Sequence, residues 1–238
     1  MKQPQKTPLN HLRKNLRDLG NPAKAETLSR FFKTGKGEYG EGDVFLGIPI
    51  PKLRMIAKKY SEFLLKDLQG LLLSRIHEER LVSLLILIIK YSEADSAHRQ
   101  AVVDFYLRNT RRINNWDLVD ISAGNILGDY LLDKDRTLLS HLAESASVWE
   151  RRIAIMATFA FIKKNEFNDT LHISEVLLND THDLIHKAIG WMLREIGKRD
   201  RETEEQFLRT HYRNMPRTML RYAIERFDKK TRDAYLKR

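Results

Sequence analysis

Apolar residues return every three or four positions through most of the chain, a spacing that winds them onto one face of an α-helix. In residues 182–198, Ile185, Ala188, Ile189, Met192, Leu193 and Ile196 share such a face. The pattern predicts helices over roughly 8–19, 50–60, 63–73, 77–92, 96–110, 115–132, 136–144, 148–164, 168–179, 182–198, 201–213 and 216–227, with a short helical tail at about 229–238. A further helix opens at Asn21-Pro22, a cap followed by a first-turn proline, and is expected to end near Gly35 and Gly37. Strand signals are nearly absent, with no Asn-Gly or Asp-Gly hairpin turn and no long alternating run. Short linkers between helices imply antiparallel helix hairpins.

Four helices of the second half start near Asn115, Val148, His182 and Pro216, about 33 to 34 residues apart, a period that marks a helix-pair repeat. They open with WDLVDIS, WERRIAI, HDLIHKAIGW and PRTMLRYAI. One pair cannot cover its own apolar face, so stacking is expected to give an all-α fold, an α-solenoid of antiparallel helix pairs of HEAT-like or armadillo-like type. Residues 1–238 are expected to form one such repeat domain, bent in a right-angled curve with a concave basic face.

Composition sharpens the picture. Of 238 residues, 42 are Lys or Arg and 32 Asp or Glu, a net charge of +10, and residues of that kind on a stacked surface suit a polyanion. Zero cysteines exclude disulfides, thiol nucleophiles and Cys-ligated metal or iron–sulfur centres. Met1 to Asn10 holds no apolar signal-peptide core, and the longest apolar stretch, Leu81 to Ile89, is too short to cross a bilayer. A reducing, cytoplasmic setting with no membrane partner is expected.

The helix over 182–198 sets Lys187, Trp191, Arg194 and Lys198 opposite its apolar face, which puts an indole among cations. Arg152, Lys187 and Arg221 are separated by 35 and 34 residues. As repeat equivalents they would form a ladder of cations suited to phosphates. Stepping back from Arg152 by one repeat lands on Val119 beside Asp120, with Trp116 one turn earlier on the same face. A carboxylate on a phosphate-binding surface either pairs with a cation such as Arg152 or does chemistry. The chemistry open to it is release of an N-alkylated purine. Such a base already carries positive charge, so the transition state needs negative charge near the oxocarbenium-like sugar and a positioned water.

FLGIPIPKLR (45–54), NWDLVD (115–120), VWERRIAI (148–155), KAIGWMLREIGKRD (187–200) and MPRTMLRYAIERF (215–227) carry a resemblance. With these motifs the chain resembles the AlkD-type, HEAT-like DNA glycosylases of DNA alkylation repair from about Asn21 to Phe227. The resemblance implies monofunctional hydrolysis of the N-glycosidic bond of cationic N3- and N7-alkylated purines in duplex DNA, as base excision without cofactor or metal, by a protein associated with the nucleoid through DNA; a closed solenoid needs no partner copy, so a monomer is expected. It implies Asp120 as the catalytic residue, Trp116 and Trp191 as aromatic contacts to the lesion, and Arg152 and Arg194 as DNA contacts. Phe31 falls where a well-known branch has a tyrosine, and Ile50 precedes Pro51 where that branch has a polar residue. The loop Thr34–Val44 is longer and richer in glycine.

Other signals carry less. Gly35 to Gly40 fits G-x-G-x-x-G, but no strand–turn–helix surrounds it, so no nucleotide is expected. His182 and His186 lie four apart without a third ligand, so no zinc is expected. Trp149, near a helix start, reads as a packing residue. The alternative function is a non-catalytic module that binds damaged or branched DNA on the same basic face. A scaffold for acidic proteins has little use for an indole at Trp191, and an RNA reader would need a repeating side-chain code that is missing.

Overall fold

In the computed structural model, which describes residues 8–237, the chain is all-α, as its periodicity implies. Val44 and Ile76 form an isolated parallel bridge. The chain divides into two compact units, Met1–Ser122 and Ala123–Arg238.

The first unit contains α1 (Pro8–Asp18), α2 (Pro22–Phe31), α3 (Ile50–Lys59), α4 (Leu65–Leu72), α5 (His77–Glu93), α6 (Ser96–Arg108) and the start of α7 (Trp116–Ala123). Helix α5 packs against α1, α3, α4 and α6. Every residue from His77 to Leu87 is buried, so this helix is covered on all sides, as its unbroken apolar middle requires. Its first turn is nevertheless polar. The Glu78 carboxylate accepts the amides of Leu46, Gly47 and Ile48 at 2.8–3.3 Å. Glu79 pairs with Arg13 at 3.0 Å, and Arg80 with Asp43 at 2.6 Å. Buried charges persist only with such partners.

Helix α2 is capped as expected, with the Asn21 side chain accepting the Lys24 amide, but it stops at Phe31 rather than near the glycines. Lys33 takes φ 52°, a left-handed turn that a continuing helix cannot hold. The loop beyond folds on itself, and Glu38 and Glu41 accept the amides of Gly35 and Gly37 at 2.8 Å each. At Gly47, φ is +80°, and a Cβ would lie 2.3 Å from the Asn21 carbonyl oxygen, so that the loop closes tightly over α2.

The second unit contains α8 (Thr137–Ala143), α9 (Val148–Ala157), α10 (Phe159–Ile162), α11 (Asn168–Val176), α12 (Asp183–Gly197), α13 (Arg201–His211), α14 (Arg217–Ala223) and α15 (Lys229–Leu236). Helix α12 packs against α9, α13 and α14, and α8 against α9. The six residues assigned to the apolar face of α12 are fully buried. Burial of a side chain the size of Ile or Leu stabilises by about 1.5–3 kcal/mol, so this face anchors the unit. A Cβ on Gly190 would meet the Met219 carbonyl oxygen at 2.4 Å, which explains the glycine within KAIGW.

Two expected helices are interrupted. The helix expected over 115–132 loosens into a π-helical turn at Gly124–Gly128, where a Cβ on Gly128 would lie 2.2 Å from the Ala157 carbonyl. The helix expected over 148–164 breaks at Thr158, whose hydroxyl bonds the Ile155 carbonyl at 2.7 Å and competes with the backbone. Trp149 is buried at the start of α9.

Candidate active site

Trp116 opens α7 because Asn115 caps it, accepting the Trp116 amide at 2.9 Å. Its indole stacks on Phe32, with ring centroids 5.0 Å apart and 9° between planes. Phe32 stacks in turn on Phe45 at 4.9 Å, and Phe45 on His77 at 4.5 Å. Four aromatic rings, from the residue that caps the end of α2, the following loop, α5 and α7, therefore form one column. Phe31, 62% exposed, meets Trp116 edge-on at 5.9 Å. The structure thus brings Phe31 and Trp116 together.

These rings wall a largely apolar cavity of about 560 Å³, closed by Ile48, Ile50 and Leu53, with Lys24, His77 and Asp117 as polar members. A cavity of that size and lining is within the ordinary range for small-molecule sites. Asp120 stands one turn after Trp116 on α7 and is partly exposed. Nearby Tyr106 is fully buried and hydrogen-bonded to Ser122 at 3.0 Å. Burial pushes the Tyr106 phenol above its ordinary range, and the Asp120 charge adds to that rise.

His77 lies at the far end of the ring column and was missed by the sequence reading. Its Nε2 meets Asp117 Oδ2 at 2.8 Å and its Nδ1 meets Asp43 Oδ2 at 3.1 Å. Burial alone would lower the His77 pKa. The Asp117 charge and the hydrogen bonds that His77 donates to Asp117 and Asp43 outweigh that, against opposition from Arg80, and raise it to about 8. Asp43 would be raised by burial, yet the His77 hydrogen bond and the Arg80 charge hold it below the usual carboxylate range. The sequence signal was present in His77-Glu78-Glu79-Arg80, four polar residues opening a helix with a long apolar middle.

The remaining candidates lie in the second unit, and the expected ladder is uneven there. Arg152 is buried, 4% exposed, with Nη1 donating to the Leu184 carbonyl, so it is not a surface cation. Its position on α9 turns it toward the start of α12 rather than toward solvent. Lys187 is half-buried and pairs with Asp183 at 2.6 Å. Arg194 pairs with Glu225, and Arg221 is exposed. Trp191 lies partly exposed on the polar face of α12, as its rotation implied, and tilts 40° against Phe159 at 6.5 Å. Its indole N–H donates to Glu195 at 3.0 Å, and Lys198 pairs with the same carboxylate at 2.5 Å. Glu195 was overlooked because a mostly buried carboxylate among cations reads as solvated charge.

His182 caps α12, its Nδ1 accepting the Leu184 amide, and His186 Nε2 donates to the Asp180 carbonyl at 2.5 Å. Among the described residues no cluster of three or more His, Cys, Asp or Glu is placed to hold a metal ion, and no helix is long and apolar enough to cross a membrane.

The profile of the DNA alkylation repair enzyme family matches residues 12–227. The chain belongs to this family. Membership places the protein in the repair of alkylated DNA, with DNA as what it acts on. The fold is similar to that of a predicted DNA alkylation repair enzyme from Enterococcus faecalis, with a TM-score of 0.69 at 18% identity, over 88% of this chain and 97% of that one. No curated protein matches the sequence. The WDLVD motif that opens α7 lies within the segment the family profile covers.

Proposed function

We propose that this family member is a monofunctional DNA glycosylase that releases cationic N3- and N7-alkylated purines from duplex DNA. The observation that carries the reading is the pairing on α7 of a partly exposed Asp120 with Trp116 one turn earlier, Trp116 itself forming part of a cavity wall of aromatic rings.

The chemistry follows from charge. An N-alkylated purine is a good leaving group, because the C1′–N bond breaks with its electron pair moving onto the base and neutralising it. Positive charge then develops on the sugar. The Asp120 carboxylate stabilises that charge and accepts the proton of the water that attacks C1′. Trp116 and Phe31 favour a cationic base through their π electrons, by about 0.5–2 kcal/mol for each ring so engaged. In the second unit, taken by itself, the contacts proposed for DNA are Trp191 together with Arg221, Lys187 and Arg194, the last two by exchanging a carboxylate partner for a phosphate. Arg152 holds the start of α12 through Leu184.

The test is release of N7-methylguanine and N3-methyladenine from alkylated duplex DNA by the wild-type chain and by Asp120→Asn. Wild type is expected to release both, and Asp120→Asn to lose about 100-fold or more in rate. Equal release by the two proteins removes Asp120 from the mechanism. Tight binding of alkylated DNA with no release by wild type replaces the glycosylase reading with the binding module.

A further inference from the structure

Two carboxylates meet the two ring nitrogens of His77, Asp43 at Nδ1 and Asp117 at Nε2. A neutral imidazole has one N–H and can donate to one of them, leaving its lone pair against the other oxygen; on the Nδ1 side Arg80 Nη2 also stands 3.5 Å away, at the limit of hydrogen-bond reach, against 3.1 Å for the Asp43 oxygen. An imidazolium donates to both carboxylates. The surrounding charges say the same. Arg80 on α5 holds Asp43 Oδ1 at 2.6 Å, and Asn115 before α7 donates to Asp43 Oδ2 at 3.3 Å. With His77 protonated, His77 and Arg80 balance Asp43 and Asp117. With His77 neutral, a negative charge is left inside the unit, where His77 is 2% exposed.

This cluster ties the glycine-rich segment to the first turn of α7. Asp43 ends the segment, whose next residue, Val44, exchanges backbone hydrogen bonds with Arg75 and His77 at 2.9 Å each. Asp117 follows Trp116 directly, and its other oxygen accepts the Leu118 amide at 2.9 Å. The ring column makes a second connection between His77 and Trp116, through Phe45 and Phe32. His77 therefore reaches the residue beside Trp116 by a charged bond and the Trp116 indole by stacked rings.

We propose that His77 is a positioning residue: as an imidazolium clamped between Asp43 and Asp117, it fixes the first turn of α7 and so the orientation of Trp116 and Asp120 toward DNA. This deepens the glycosylase reading and rests on it for its effect on rate. The clamp itself needs no DNA. Loss of the His77 proton breaks one of its two bonds, and excision slows as the first turn of α7 loosens.

The experiment follows ring-nitrogen resonances of ¹⁵N-histidine and indole N–H resonances of the full chain between pH 5.5 and 9.5, with Trp116 assigned by Trp116→Phe. At pH 6.5 both His77 nitrogens should carry protons, and the Trp116 resonance should shift with the midpoint of His77. In His77→Gln the Trp116 resonance should not titrate. Release of N7-methylguanine at saturating protein should fall through the His77 midpoint to a lower plateau in wild type, and be slow and flat in His77→Gln. An unprotonated His77 nitrogen at pH 6.5, or a Trp116 resonance that ignores His77, overturns the proposal. So does base release that stays constant through the His77 titration, which leaves the glycosylase reading intact. Coupled titration with no base release by any protein sinks the glycosylase reading while upholding the clamp. If His77→Gln does not fold, the wild-type titration decides alone.

Discussion

Replacing Glu78 by Gln probes how the first unit holds its cavity open. The Glu78 side chain is buried, 2% exposed, and serves three consecutive amides. Oε1 accepts Gly47 at 2.8 Å, Leu46 at 3.0 Å and Ile48 at 3.3 Å, while Oε2 accepts Leu46 at 2.9 Å. A glutamine oxygen in the Oε1 position keeps the Gly47 and Ile48 bonds in weaker, neutral form. The glutamine NH₂ takes the Oε2 position and faces the Leu46 amide, donor against donor, so Leu46 keeps only its 3.0 Å bond to the Oε1 position, in neutral form. A bond to a charged group contributes about 1.5–3 kcal/mol and a neutral one about 0.5–1.5, so Glu78→Gln, which weakens the bonds of three amides and opposes a donor to Leu46, should destabilise the first unit by about 2–4 kcal/mol. Glu78→Ala should cost more, since all three amides lose their acceptor. Native-state hydrogen exchange is the assay, because it reads local opening even where the two units do not unfold together. Protection of the Leu46, Gly47 and Ile48 amides should fall by about 30-fold or more in Glu78→Gln. Unchanged protection at those amides, with a stability loss under about 0.5 kcal/mol, would show that the carboxylate does not hold the loop.

Two further perturbations test the second unit. Gly190→Ala places a Cβ 2.4 Å from the Met219 carbonyl oxygen and 2.5 Å from the Tyr222 Cβ, so α12 and α14 must separate. A loss of about 2–4 kcal/mol is expected in urea unfolding, and a neutral result would mean the two helices slide apart easily. Glu204 is buried with Oε1 lacking a hydrogen-bond partner among the described residues. Burial, reinforced by Glu205 and opposed by Arg201 and Arg194, raises its pKa to about 8. A raised carboxyl is protonated in the folded chain, so its stabilising contribution is complete below the ordinary value of 4.5 and is lost as pH rises through 8. Glu204→Gln should therefore gain stability over wild type progressively from pH 4.5 to 8, by a few kcal/mol at the upper end, and parallel denaturation curves for the two proteins across that range would contradict it.

Helical periodicity carries the fold because it reports burial directly. The apolar face assigned to α12 is the buried face, residue by residue, and most helix starts fall within a residue or two of those expected. What periodicity cannot report is how closely two backbones approach. The π turn at Gly124–Gly128 and the break at Thr158 come from contacts or side-chain bonds that compete with the ladder, and no hydrophobic pattern encodes them. The end of α2 was misplaced for a related reason. A glycine is the customary stop signal, but here a lysine, Lys33, takes the left-handed turn and the glycines serve the loop beyond it.

The candidate site divides along the same line. Side chains that stand on the polar face of one helix were legible from rotation alone, and so Trp116, Asp120 and Trp191 are partly exposed where rotation puts them. Side chains whose state depends on a neighbouring element were not. Arg152 occupies the repeat position of Lys187 and Arg221, yet the Leu184 carbonyl draws it inside, because α9 packs against α12 and a guanidinium there finds an acceptor before it finds solvent. The same dependence hid His77. Alone, a histidine at the start of an apolar helix reads as a filler. Between Asp43, 34 residues before it, and Asp117, 40 residues after, it becomes the one group able to satisfy both. Spacing within a helix locates surfaces, whereas the chemistry of a buried ionisable group is set by partners from distant segments. A sequence reading of this family should therefore weigh polar clusters that open apolar helices alongside the cations on their faces.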